Sequence, residues 1–260
     1  MTEIKEPYYE SVGKEIEIFQ VAAGLSLPLL LKGPTGSGKS RFLEYMAFRM
    51  KRRLITILCN DETSSVDLVG RYLVKGTDTI WQDGPLTQGV REGAIVYLDE
   101  VAEARPDTLV AIHSLTDHRR ILFIDRKNEE ISAHSNFLLV ASFNPGYQRG
   151  FKELKPSTRQ RFLSMDFPYP SPDVENKILI GETGIEEKIS KRLIQYANMV
   201  RNKPEIGLSE TISTRLLVSC AFLINSGLPA RVAARTSIIL PLTDDPDTIT
   251  SLQDIFNLIL

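Results

Sequence analysis

The chain has 260 residues, 42% hydrophobic and 25% charged, which is ordinary for a globular protein and enough to bury a large core. Its 31 Lys and Arg side chains against 33 Asp and Glu leave a net charge of −2, so it lacks the electrostatic footprint of a dedicated nucleic-acid binder. The longest apolar run, around Leu216–Ile224, contains Ser219 and is too short to cross a bilayer, which argues against membrane insertion.

Tyr8 and Tyr9 follow Pro7 and suit two roles equally, packing near a nucleotide base or anchoring the N-terminal segment to the core. Next comes the apolar run Leu29-Leu30-Leu31, and after it Gly33-Pro34-Thr35-Gly36-Ser37-Gly38-Lys39-Ser40, a complete G-x-x-x-x-G-K-[ST] phosphate loop. Phe42, Leu43, Met46, Ala47 and Met50 then recur at helical spacing, predicting a helix from about Lys39. A chance match in a surface loop would lack this strand–loop–helix setting. In such a unit, backbone N–H groups wrap the β- and γ-phosphates of a nucleoside triphosphate, Lys39 reaches the terminal phosphates, and the Ser40 hydroxyl ligates Mg²⁺. The positive end of the helix adds to the anion site. Arg49, Lys51, Arg52 and Arg53 fall where that helix should end and read as partners of its negative pole rather than as a binding patch.

Short apolar strands at Leu29–Leu31, Leu54–Leu58, Ala94–Leu98 and Phe137–Ser142 alternate with helical patterns from Glu15 to about Asp166, which argues a parallel sheet covered by helices. The third strand ends in Asp99-Glu100. Paired acids are common in surface turns, but behind a phosphate loop they suit hydrolysis, with Asp99 holding the shell of the ion and Glu100 polarising the attacking water. The fourth runs into Asn144-Pro145, where Asn144 is either a turn former or a residue that hydrogen-bonds the γ-phosphate or the water. Arg159 and Arg161 follow, in a segment opened by Pro156, Ser157 and Thr158. By their letters alone they suit surface salt bridges, with a transition-state role as the alternative.

Pro168, Pro170 and Pro172 interrupt the α/β pattern and mark a domain boundary, giving an α/β nucleotide-binding domain over 1–170 and a helical lid over 171–260. In the lid, Ile185, Ile189, Leu193, Ala197 and Val200 mark one helix and Ile212–Ile224 a second, with two more after Pro229 and Pro246. Cys59 and Cys220 lie far apart, and His113, His118 and His134 form no ligand spacing, so neither a disulfide framework nor a zinc site is expected. With an acidic rather than signal-like start, this predicts a reducing, cytoplasmic location.

Together, the phosphate loop, Leu98-Asp99-Glu100, the Asn144 strand, the arginine pair and Ser213-Thr214-Arg215 resemble an AAA+ ATPase of the MoxR branch. Leu68-Val69-Gly70-Arg71-Tyr72, Trp81–Leu86, Tyr97–Val101, Phe143-Asn144-Pro145-Gly146-Tyr147-Gln148 and Lys155–Phe162 narrow the likeness to the CbbQ/NorQ subgroup, over nearly the whole chain.

That resemblance implies an AAA+ P-loop core with β-hairpin insertions and a small all-α lid. It implies a homo-hexamer with ATP and Mg²⁺ at subunit interfaces, a neighbour supplying an arginine finger. Arg161 is the first choice for that finger and Arg159 the second; Arg215 matches the lid's sensor arginine. A closed ring needs a heterologous interface repeated by rotation. Tyr72–Trp81, turning at Gly76-Thr77-Asp78, and Ile121–Phe137 read as the inserted hairpins, facing the pore or partner in relatives, or else decorative. The subgroup works with a von Willebrand A-domain partner of the CbbO/NorD type. Its targets are Rubisco, freed of inhibitory sugar phosphates in the CbbQ line, or a nitric oxide reductase in the NorQ line; the Rubisco line is favoured. A small-molecule kinase and a nucleic-acid remodeller are the competing classes. The acidic pair and arginine-bearing lid favour hydrolysis over the first, and the charge disfavours the second.

Overall fold

The structure is a computed structural model, described here for residues 6–145 and 154–259. It divides into two compact units, one of residues 1–7, 13–33 and 39–166, the other of 8–12, 34–38 and 167–260.

The first unit is built on a five-stranded sheet in the order β2-β5-β8-β1-β9, every neighbouring pair parallel. Its strands are β1 (Leu29–Lys32), β2 (Leu54–Leu58), β5 (Ile95–Asp99), β8 (Leu138–Phe143) and β9 (Leu163–Asp166). The central strands β1, β5 and β8 are almost wholly buried, whereas β2 at the edge is buried only at Ile55. Burial on both faces explains why the central strands read as continuous apolar runs. The four predicted strands are found, and the edge strand β9 is additional. Its sequence, Leu-Ser-Met-Asp, buries only Met165 and so carries too little apolar pattern to announce itself.

Around the sheet lie α1 (Glu15–Gly24), α2 (Lys39–Met50), α3 (Ser65–Val69), α4 (Pro85–Glu92), α5 (Pro106–His113) and α6 (Pro156–Arg159). Helix α2 buries Phe42, Leu43, Met46 and Ala47, the stripe its periodicity predicts, and carries Arg49 in its last turn. Helix α4 starts at Pro85 and stops at Gly93, whose φ of 75° closes the helix in the left-handed region.

Two antiparallel hairpins lie outside the sheet, β3 (Gly70–Lys75) with β4 (Asp78–Asp83), and β6 (Ile121–Ile124) with β7 (Glu129–Ser132). In the first, Tyr72 faces Trp81 across the strands with the rings edge to face at 5.1 Å. Arg91 on α4 joins both hairpins, reaching Asp83 at 3.0 Å and Glu129 at 2.5 Å. Lys127 also pairs with Glu129 and lies 5.7 Å over the Trp81 ring.

The second unit is helical: α7 (Pro172–Thr183), α8 (Glu187–Arg201), α9 (Thr214–Asn225), α10 (Ala230–Ala234), α11 (Leu240–Leu242) and α12 (Pro246–Ile259), with a π-helical turn at Arg235–Ile239. Helix α7 goes beyond the predicted set. Ser171 caps it by accepting from the Val174 amide, and Pro172 takes the first helical position. The prolines that mark the break thus also start a helix, since proline lacks only a donor that the first turn leaves unused. The buried carboxylate Glu175 ties three helices of this unit together. It accepts both Arg201 guanidinium nitrogens at 2.8 Å and the Thr214 hydroxyl at 2.7 Å. No helix among the described residues is long and apolar enough to cross a membrane.

Candidate functional site

Parallel register brings the predicted residues of the first unit to one end of the sheet. Leu98 pairs with Ala141 and Lys32 with Phe143, so the ends of β5, β8 and β1 deliver Asp99, Asn144 and Gly33 side by side. The Gly33 amide donates to the Phe143 carbonyl at 3.4 Å, which fixes the base of the phosphate loop next to Asn144. Lys39 opens α2, and its ammonium donates to the Gly33 carbonyl at 2.8 Å.

Asp99 is held by hydroxyls. Because side chains two apart on a strand share a face, Tyr97 and Asp99 of β5 and Ser142 of β8 point the same way. Tyr97 donates to Asp99 Oδ1 at 2.5 Å, Ser142 donates to the same oxygen at 2.6 Å, and the two hydroxyl oxygens are 3.0 Å apart. Burial first, then the hydrogen bond to Asp99, pushes the Tyr97 phenol far up, so it stays a donor.

Glu100 leaves the strand at φ 56°, with an exposed side chain and its amide donating to Ser142 Oγ at 3.1 Å. Beside it, the Cys59 thiol is buried, and desolvation, with smaller contributions from Asp99 and Glu100, raises its pKa to about 12. Asn144 is half-buried at the end of β8. The Gly146-Tyr147-Gln148 continuation of its motif lies outside the described residues.

The arginine pair separates. Arg159 ends α6 half-buried, its guanidinium 5.1 Å over the Phe143 ring. Arg161 is exposed, with Nη1 3.5 Å from the His113 carbonyl and 4.0 Å from Asp117.

Loop residues Pro34, Thr35, Gly36, Ser37 and Gly38 cluster with the second unit. There the Thr35 hydroxyl donates to Glu210 at 3.1 Å, and the Tyr169 hydroxyl donates to the Thr35 carbonyl at 3.3 Å. Gly36 and Gly38 adopt φ of 71° and 95°. A Cβ at Gly36 would fall 2.7 Å from Ser213, so only glycine fits. Arg215 is exposed in the first turn of α9, after Ser213 as N-cap. Tyr8 packs on α7, against Gly181 and with its hydroxyl donating to Glu10 at 2.7 Å, which supports its anchoring role.

These residues fit a magnesium nucleotide. The loop glycines take the left-handed backbone that a phosphate-wrapping turn requires, and the buried Ser37 hydroxyl oxygen has no hydrogen-bond partner among the described residues. Ser40 and Asp99 supply hard oxygen donors. Among the described residues no cluster of three or more His, Cys, Asp or Glu could cage a metal by itself. Sequence reasoning overlooked the roles of Tyr97 and Ser142. Their signal was strand alternation with Asp99 and Asn144, legible only once β5 and β8 are known to be neighbours.

Comparison with known proteins agrees. The model of the AAA domain, dynein-related subfamily, matches residues 28–162, and that of the CbbQ/NirQ/NorQ C-terminal region matches 175–259. The chain is 53% identical to Protein CbbQ of Hydrogenophilus thermoluteolus, covering 93% of this chain and 91% of that protein. It is 50% identical to the denitrification regulatory protein NirQ of Pseudomonas aeruginosa, covering 97% of each. Protein NorQ of Paracoccus denitrificans is also 50% identical, over 97% of this chain and 93% of that one. Among solved structures, a point mutant of RuvB from Thermotoga maritima shares the fold at TM-score 0.57 and 14% identity, over 95% of this chain and 72% of that one. Two family models in series and half-identity along almost the whole length give one assignment: the chain belongs to the AAA family, dynein-related subfamily, in its MoxR-type CbbQ/NirQ/NorQ group, and is a nucleotide-binding ATPase of activase type.

Proposed function

We propose that the protein is a hexameric, ATP-hydrolysing remodeller that, with a von Willebrand A-domain partner, activates Rubisco by releasing inhibitory sugar phosphates. The observation that carries the ATP-driven part is the convergence of Gly33, Lys39, Asp99, Glu100 and Asn144 at one sheet end. Residues 1–170 form the nucleotide-binding domain and 171–260 the lid. A cytoplasmic location accords with two buried free cysteines.

In this reading Gly33, Pro34, Thr35, Gly36, Ser37 and Gly38 wrap the phosphates with backbone amides, and Lys39 neutralises the terminal ones. Ser40 and Asp99 hold Mg²⁺, which when bound offsets phosphate charge. Glu100 takes the proton of the attacking water, and Asn144 hydrogen-bonds that water or the γ-phosphate. Arg215 acts on the nucleotide of its own subunit. Arg161 acts on a neighbour's, a choice over Arg159 supported by exposure, since Arg159 packs on Phe143.

The choice of Rubisco rests on overall likeness to CbbQ, at 53% identity against 50% for NirQ and NorQ. Those relatives make nitric oxide reductase the second reading. Purified protein should release phosphate from ATP with no acceptor present; strict dependence on a small-molecule acceptor would instead indicate a kinase, and stimulation by DNA or RNA a nucleic-acid motor. Adding the partner should then restore inhibitor-bound Rubisco. Restoration of inactive nitric oxide reductase alone would reassign the target.

A further inference from the structure

The two acids at the end of β5 are joined by a peptide group that is held on both sides. The Asp99 carbonyl accepts from the amide of Cys59, just beyond β2, at 2.9 Å, and the Glu100 amide donates to Ser142 Oγ, on β8, at 3.1 Å. The first holder is backbone, which any residue but proline could supply. The second is a side chain, the one polar residue of a strand that is buried throughout and otherwise apolar from Leu138 to Phe143.

A buried hydroxyl needs partners for its proton and its lone pairs, and directionality assigns them here. The Glu100 amide can only donate, so Oγ accepts from it; the Asp99 carboxylate can only accept, so the Ser142 proton goes to Oδ1, at 2.6 Å. Donation to a charged acceptor polarises the hydroxyl and makes its oxygen a better acceptor for the amide. Tyr97 donates to the same Oδ1 at 2.5 Å, so Asp99 keeps a hydroxyl donor if that of Ser142 is removed. On its other side, Glu100 accepts at its carbonyl from the Glu103 amide at 2.9 Å, with φ at 56°. The rotation about N–Cα that aims its side chain is thus set between two held groups.

We infer that Ser142 is a positioning residue for hydrolysis: its hydroxyl, locked by Asp99, holds the Glu100 amide and thereby aims the carboxylate that takes the proton of the attacking water. This rests on the reading of Glu100 given above. It predicts a defect in turnover, not in nucleotide binding, that exists only while the Glu100 carboxylate is there to be aimed.

The test compares the full chain with Ser142→Ala, Glu100→Gln and the double variant. Affinity is read with a fluorescent ATP analogue in Mg²⁺, and turnover as single-turnover phosphate release. Ser142→Ala should bind within about two-fold of wild type yet release phosphate about five- to ten-fold more slowly, the factor that one hydrogen bond supports. In the Glu100→Gln background the same change should alter the rate by less than about two-fold, because residues that act through one group are not additive. Unchanged binding also reports a folded site. A Ser142→Ala protein with the wild-type rate, one that loses affinity in step with rate, or a double variant slowed by the full factor again would overturn the positioning role and leave Glu100 in place. Wild-type turnover by Glu100→Gln would overturn the reading of Glu100, and the positioning role with it.

Discussion

Glu100 sits at φ 56°, a backbone region that costs a residue with a Cβ roughly 1–2 kcal/mol. The Ser142 hydroxyl, which accepts from its amide at 3.1 Å, helps hold it there just past the end of the strand that carries Asp99. Glu100→Gln should therefore bind ATP normally yet lower kcat by about 10²–10⁴-fold, the usual contribution of a general base. Lys39→Ala should instead weaken binding itself; comparing nucleotide affinity with turnover separates the two, and normal turnover by Glu100→Gln would remove it from the proposed role. His113 supplies a pH effect. Burial, and secondly the nearby Arg161, hold its pKa below the ordinary 6.5. The unfolded chain thus takes up this proton more readily than the folded one. The stabilisation is complete above about pH 6.5 and is lost as pH falls from there through the depressed folded value. Thermal melts between pH 7.5 and 5.5 should show Tm falling, and His113→Gln should flatten that slope.

At the scale of elements, the bidentate Arg201–Glu175 pair organises the helical unit. Glu175 is fully buried on α7, Arg201 ends α8 at 11% side-chain exposure, and Thr214 begins α9 immediately before Arg215. Arg201 also donates to the Ile212 carbonyl at 2.8 Å and lies 4.5 Å over the Tyr169 ring. Removing one partner leaves a buried charge without compensation, so Glu175→Ala should cost about 3–5 kcal/mol in denaturant unfolding. A loss below about 1 kcal/mol would show that water reaches the orphaned guanidinium. The hairpin pairs around Arg91 are more exposed and contribute much less individually, although they link two insertions far apart in sequence.

For the whole molecule, the proposed ring would give Arg161 a role at a neighbour's nucleotide. Among the described residues this exposed arginine meets the His113 carbonyl at 3.5 Å and the Asp117 carboxylate at 4.0 Å, contacts that a second subunit's nucleotide could replace. If it serves a neighbour's nucleotide, Arg161→Ala alone should be nearly inactive. Mixing it with Lys39→Ala should recover measurable ATPase, because some interfaces then combine an intact phosphate loop with an intact arginine. Absence of any recovery across mixing ratios would remove the trans assignment.

Much of this protein was legible from its letters, for reasons that differ by feature. The phosphate loop and its helix are local: glycine backbone freedom, a lysine at fixed spacing and a 3.6-residue apolar period all lie within Leu29–Met50. The central strands declare themselves because burial on both faces demands continuous apolar runs, whereas the hairpins were placed from the family resemblance, the first with Gly76-Thr77-Asp78 as its turn. Strand β9 and helix α7 were hidden, one with a single buried side chain, the other behind prolines that read first as a break. What the sequence by itself determined was the set of local units and the chemistry each can offer. Only the tertiary structure decided that β5 and β8 are neighbours, which brings Tyr97, Asp99 and Ser142 into one hydroxyl network and sends Arg159 and Arg161 to different surroundings. Strand order is a long-range choice of packing, and no local periodicity encodes it.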